Sequence, residues 1–117
     1  STFSTKQTQD LYLYTQAELL AKSATEYALL AISGHNNSVN CINQINSQYT
    51  VGGNDLFDIN VSLQYIGDGL PGGCATLDNN ISTADSNLTV LIDTVITSSA
   101  GVATEPIRFH RRTLQKL

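Results

Sequence analysis

The strongest constraint on the fold is a helical pattern that fills the first third of the chain. Between about Ser4 and Ser33, Leu13, Ala17, Leu20, Ala24, Tyr27, Ala28 and Ala31 recur at three- and four-residue steps and define one apolar stripe. Glu18, Lys22 and Glu26 repeat at i,i+4 beside it, a charged row that supports the helix from the solvent side. Gly34 supplies a stop, and the polar His35-Asn36-Asn37-Ser38 follows. At 1.5 Å per residue such a helix is about 43 Å long. A compact domain of this size is roughly 35 Å across. The spacing therefore predicts a helix that overhangs its globule, with the polar turns from Thr5 to Asp10 as the overhang. Leu13, Ala17, Leu20, Ala24, Tyr27 and Ala28 are the expected contacts between helix and sheet.

Residues 34–56 read as a connecting segment. Val39, Ile42 and Ile45 keep a helical spacing, which allows a short second helix carrying Cys41, and Gly52-Gly53-Asn54-Asp55 then breaks the chain. From Phe57 the period changes to two. Phe57, Ile59, Val61, Leu63 and Tyr65 alternate with Asp58, Asn60, Ser62 and Gln64, the pattern of a half-buried strand. Gly67–Gly73 is a turn-rich loop leading to Cys74, and Asp78–Asn87 is a polar loop. Leu88, Val90, Ile92, Thr94 and Ile96 form a second alternating strand, rich in β-branched residues. Pro106 opens a last strand, Ile107 to about Thr113. The expectation is one domain over 1–117, with helix 4–33, connecting segment 34–56 and sheet 57–117. A helix followed by three or four antiparallel strands is an α+β fold.

The residues offer little reaction chemistry. A net charge of −4 argues against nucleic acid as the main partner, because phosphate binding needs a concentrated basic surface. Basic groups do gather near the C-terminus as Arg108, Arg111, Arg112 and Lys116. They read either as charges that guard an edge strand or as a subunit-contact patch facing acidic groups on a neighbour. Neither His35 nor His110 lies in a nucleophile-and-base context, so no catalytic residue is assigned and the chain reads as a non-enzyme. Gly67-Asp-Gly-Leu-Pro-Gly-Gly73 lacks the Lys-Ser/Thr ending and following helix of a phosphate loop. Asp55, Asp68, Asp78 and Asp85 could offer oxygens to calcium, but no Asp-x-Asp-x-Asp-Gly pattern is present; they read as solvated loop carboxylates. No metal or cofactor is assigned.

Cys41 and Cys74 are too few for a structural zinc site. One disulfide is the preferred reading, with two free buried cysteines as its alternative. A bond between them implies an oxidising compartment. The chain contains no Met, even at position 1, which reads as processing or truncation. No apolar run approaches the ~20 residues that span a bilayer, and no signal peptide is visible. A charged content of only 14%, with Ser, Thr, Asn and Gln in its place, suits an exported surface. Asn36-Asn-Ser38, Asn60-Val-Ser62, Asn80-Ile-Ser82 and Asn87-Leu-Thr89 are sequons for glycosylation. Asp58, Asp78 and Asp85 stand two residues before three of them, which looks like the acceptor of some bacterial oligosaccharyltransferases. Asn80, Asn87 and Asn60 are the candidate acceptors.

The order of parts resembles the pilin and pseudopilin family of type IV pili and type II secretion systems. The resemblance rests on TQAELLAKSATEYALLAIS (15–33) before a variable segment (34–56), on the antiparallel strands, and on Cys41 and Cys74. It also rests on the closing EPIRFHRRTLQKL (105–117). It covers the whole chain and is architectural. It implies a disulfide tying the later region, a cleaved leader with N-terminal methylation, and an apolar anchor of about 25 residues; no residue here matches those N-terminal parts. It also implies a filament subunit held in the inner membrane and exposed to the periplasm or cell surface. Its partners would be other pilin-like subunits, met through Tyr12, Gln16, Glu18 and Lys22 on the helix and through Arg108, Arg111 and Arg112. A secreted or periplasmic binding module, an adhesin or sugar-binding domain, is the alternative, with Tyr14, Tyr49 and Tyr65 as its aromatic candidates.

Overall fold

A computed structural model describes residues 2–82 and 88–117. Helix α1 (Thr2–Ser33) precedes strands β1 (Gln44–Val51), β2 (Asn54–Gly67), β3 (Thr76–Asp78), β4 (Leu88–Ser98) and β5 (Arg108–Lys116). The sheet runs β1-β2-β4-β5 with every neighbour antiparallel, and β3 adds a short parallel pairing to β2. The class is α+β, one N-terminal helix packed on a largely antiparallel sheet. The molecule measures 59 × 25 × 18 Å with a radius of gyration of 17.4 Å, well above the ~13 Å of a compact chain this long. An unbroken helix of 32 residues, about 48 Å long, accounts for much of that elongation.

The sheet-facing side of α1 is built from small residues. Ala17, Ala21, Thr25, Ala28 and Ile32 are buried and stand three or four positions apart, so they share one side of the helix. The sheet supplies the bulk opposite them: Phe57, Val61, Leu63 and Tyr65 from β2, and Val90, Ile92 and Ile96 from β4. Leu13, Leu20 and Ala24 are half-buried at the margin of this contact. Tyr27, expected in the core, is 63% exposed. The helix lies over β4, β5 and β2, with little contact to β1. Its buried side is therefore rotated toward Ala21, Thr25 and Ile32 and away from Tyr27.

Two apolar clusters fill the space between the layers. One joins Ala28 and Ile32 to Val61, Leu63, Tyr65, Cys74, Val90 and Ile92. The other joins Ala17 and Ala21 to Phe57, Ile96 and Ile107. A pair of buried hydroxyls sits between them. Thr25 Oγ1 donates to Ala21 O at 2.7 Å and lies 2.9 Å from Thr94 Oγ1. Thr25's single proton is committed to Ala21, so Thr94 is the donor in the second bond.

The helix ends at Ser33, but not through a left-handed glycine. Gly34 N donates to Leu30 O at 3.1 Å, an ordinary helical bond, and the orphan Ile32 carbonyl accepts from His35 N and from Asn37 Nδ2. No second helix follows in 34–56. That segment holds β1, paired with β2 from Gln44↔Ser62 to Val51↔Asn54. Gly52 and Gly53, at φ 59° and 82°, make the two-residue turn whose twist suits a hairpin. Cys41 and Cys74 are disulfide-bonded, with Cα atoms 4.9 Å apart. The bond pins the segment after α1 to the loop after β2. Asn43 reinforces it, donating from Nδ2 to Gly73 O at 2.7 Å and accepting from Ala75 N at 2.9 Å.

Two stability outcomes follow from these contacts. Thr25→Val strands the Thr94 hydroxyl in a site closed to water and should cost about 1–3 kcal/mol, whereas Thr94→Val should cost about 1 kcal/mol or less. The double variant should resemble Thr94→Val in denaturant melts; equal single costs would refute the assigned donor direction. Reducing the disulfide, which closes a separation of 33 residues, should lower unfolding free energy by about 3–4 kcal/mol. Unchanged melts after reduction would show that the bond does not restrain the unfolded chain.

Candidate functional site

The sheet has one face under the helix and one open face, and the pairing registers place each side chain. Across the open face Gln48, Asp58, Thr97 and Arg108 form one row, Asn46, Asn60, Val95 and His110 the next, and Gln44, Ser62, Asp93 and Arg112 a third. The face is thus neutral or acidic toward β1 and basic at β5. Arg111 pairs with Thr94, a residue on the helix-facing side. Period two therefore splits the basic trio: Arg108 and Arg112 lie on the open face, Arg111 on the other.

Asp93 is the electrostatic centre of the basic edge. Its Oδ1 accepts from Arg112 Nε at 2.7 Å and from His110 Nε2 at 2.8 Å, with its side chain only 19% exposed. Desolvation pushes its carboxyl up, but the hydrogen bonds and charges of Arg112 and His110 prevail and hold it below the usual aspartate value. Arg108, Arg111 and Lys116 reach no acidic group among the described residues. His110 has a carboxylate partner, but no hydroxyl or thiol is bonded to it among the described residues.

Large apolar side chains also reach the solvent side of α1, among the exposed Thr15, Ser23 and Glu26. Tyr12, Leu19 and Leu30 are 67%, 62% and 73% exposed. Separations of 7 and 11 residues bring them within about 20° of one another around the axis. Their stripe lies opposite the buried alanines. Tyr12 was among the expected contact residues; Leu19 and Leu30 were missed. The signal was in the doublets Leu19-Leu20 and Leu29-Leu30, since adjacent helical residues stand about 100° apart and cannot share one narrow face.

Between α1 and β1, where the helix does not cover the sheet, lies an open groove of about 380 Å³ lined by Leu20, Ala24, Tyr27, Ile45, Ile59 and Val61. The tyrosines expected of a binding module are not gathered there. Tyr65 is fully buried and donates to Ile42 O. Tyr49's hydroxyl accepts from Gln16 Nε2 at 3.3 Å, and Tyr14 meets Phe109 edge-on at 5.8 Å. Of the sequons, Asn60 is exposed at mid-sheet and Asn80 is exposed beside Asp68 and Asp78. Asn36 accepts from the Ser38 amide and hydroxyl. Asn87, like Asp85, lies outside the described residues.

No family model, curated protein or solved structure matches the chain. Among the described residues no group of three or more His, Cys, Asp or Glu is placed to hold a metal. No described helix is long and apolar enough to cross a membrane.

The Asp93 cluster carries a pH signature. A carboxyl depressed on folding stabilises the native state above the unfolded aspartate pKa of about 4, and that contribution is lost as pH falls through the lower native value. Asp93→Asn should therefore destabilise the protein at pH 7, by a difference that vanishes toward pH 2. Denaturant melts at both pH values check this; an equal deficit at both would contradict the ionic origin.

Proposed function

We propose that the chain is the globular part of a structural subunit of a bacterial pilus or pseudopilus. In this reading it stands on the periplasmic side of the inner membrane or in a surface filament, and an apolar extension of α1 anchors it. The observation that carries the reading is the two-sided helix. A helix needs one apolar side to hold a sheet, and α1 uses its alanine side for that. The second stripe of Tyr12, Leu19 and Leu30 has no partner within the described chain. Three large side chains on one exposed line, about 10 and 16 Å apart along the axis, offer separate points of contact to a neighbouring helix.

The first turns point the same way. Lys6–Gln9 are exposed, and the described sheet-facing burial starts farther along. But Asp10, expected in the overhang, is half-buried and accepts from Thr104 N at 3.2 Å, so the loop before β5 reaches the helix there. A long rod with large side chains left on its solvent side is suited to bundling with copies of itself. The disulfide and the Asn43 clamp hold the loop after β2. Chemistry is not required of such a subunit; rigidity and side-to-side recognition are.

The decisive variants are on the solvent side of α1, where they leave the core untouched. Leu19→Asp and Leu30→Asp should each shift the midpoint of thermal unfolding by no more than a few degrees, while cells expressing the full gene should lose filaments in electron micrographs. Normal filament numbers with both changes present would overturn the proposal.

A further inference from the structure

The two edges of the sheet are unlike each other. Strand β5 carries Arg108, Arg111, Arg112 and Lys116, the kind of charge that stops an edge from pairing with a copy of itself. Strand β1, QINSQYTV, has neither a charge nor a proline. Nothing on it discourages another strand, and Gln44, Asn46, Gln48 and Thr50 along it are all exposed.

The hydrogen-bond phase of both edges is fixed. Leu63 N donates to Asn43 O, so Asn43, Ile45, Ser47 and Tyr49 turn their backbone groups toward β2. Gln44, Asn46 and Gln48 then present theirs to the open edge. At the other side Ser98 N donates to Ile107 O and Leu117 N to Leu88 O. Arg108, His110, Arg112 and Leu114 therefore present theirs outward. On both edges the outward-facing backbone belongs to residues whose side chains lie on the open face of the sheet. The path β1-β2-β4-β5 has four antiparallel strands, so β1 and β5 run in opposite directions. A neighbouring copy set side by side in the same orientation thus brings an antiparallel β5 to β1 with the hydrogen-bonding groups in phase and both helices on one side.

We propose that β1 of one subunit accepts β5 of the next, extending the sheet from copy to copy by a head-to-tail edge contact. Charge selects this pairing. Asp58 lies one strand in from the β1 edge on the open face, where the neutral Gln48 Nε2 donates to it at 3.1 Å; among the described residues Asp58 has no cationic partner and Arg108 no acidic one. Pairing β5 with β5 would set four cations against four, whereas β5 beside β1 brings Arg108, the open-face arginine that Asp93 does not hold, toward the side of the sheet that carries Asp58. A contact between two different edges is open-ended and propagates. The inference deepens the filament reading and rests on it for the identity of the partner.

The test blocks one edge at a time. Asn46→Pro removes an outward-facing amide from β1, and Leu114→Pro removes one from β5, neither bond being part of the existing ladder. Sedimentation velocity of the present chain at millimolar concentration should show wild-type protein growing with concentration and each variant alone as monomer. An equimolar mixture of the two should give dimers, because each variant keeps the edge the other lacks. If a proline variant fails to fold by circular dichroism, Asp58→Lys and Arg108→Glu replace the pair, each weak alone and restored when mixed. Wild-type protein that stays monomeric overturns the proposal, as does a Leu114→Pro variant that dimerises alone, which would mean β1 pairing with β1. Filaments that persist in the full gene product carrying Asn46→Pro would sink the edge contact and leave the filament reading standing; edge dimers without filaments would do the reverse.

Discussion

The contact on which the structure depends is the small-residue side of α1 against the bulky side of β2 and β4. Ala17, Ala21, Thr25 and Ala28 fill little space, so the strands must provide the volume that makes a packed core. They do so with Phe57, Leu63, Tyr65, Ile92 and Ile96, all essentially closed to solvent. The hydroxyl bridge from Thr94 to Thr25 interrupts this apolar layer at one point and is satisfied internally, which a buried polar pair must be to avoid a net cost. That bridge also fixes the register of helix on sheet, because a shift along the axis would leave a hydroxyl unpaired.

Once that face and its margins, Leu13, Leu20, Ala24 and Leu29, are committed, the solvent side of α1 is surplus to the core. The sheet occupies one side of the helix and leaves the other to water, yet the sequence spends Tyr12, Leu19 and Leu30 there. The sheet shows a corresponding imbalance, with a basic edge at β5 and a neutral edge at β1. The charges on β5 guard that edge, but β1 carries no such guard. The outer stripe and the bare edge are what a subunit needs if its neighbours supply a second helix contact and a second strand contact. The Asp93 cluster then orders the basic edge, since it ties Arg112 and His110 down and leaves Arg108 to face outward.

Much of the architecture was legible in the residues. The long helix, the alternating runs 57–65 and 88–96, the strand after Pro106 and the pairing of Cys41 with Cys74 each had a local pattern strong enough to survive tertiary packing. The errors have physical causes. Strand β1 was obscured because Val39, Ile42 and Ile45 fit a helical step, while the Gly52-Gly53 pair that makes its hairpin was read only as a break. Tyr27 was placed in the core because a three- to four-residue stripe has two margins, and sequence does not say which strands lie beneath it. The separation of Arg108, His110 and Arg112 from Ile107 and Phe109 was legible as well, because the period of two after Pro106 already sets them on opposite faces. The apolar outer stripe is harder: a helix amphipathic toward its own sheet and apolar on its far side looks, along the sequence, simply less periodic.

The central claim is that the outer stripe of α1 is buried between subunits in an assembly. A nitroxide label on Leu19→Cys, introduced in the full gene product and observed before and after assembly, measures this directly. The account predicts a mobile label on the free subunit and, in the assembly, an immobilised one with dipolar broadening from neighbouring copies. A label that stays as mobile in the assembled state as in the free one would contradict it.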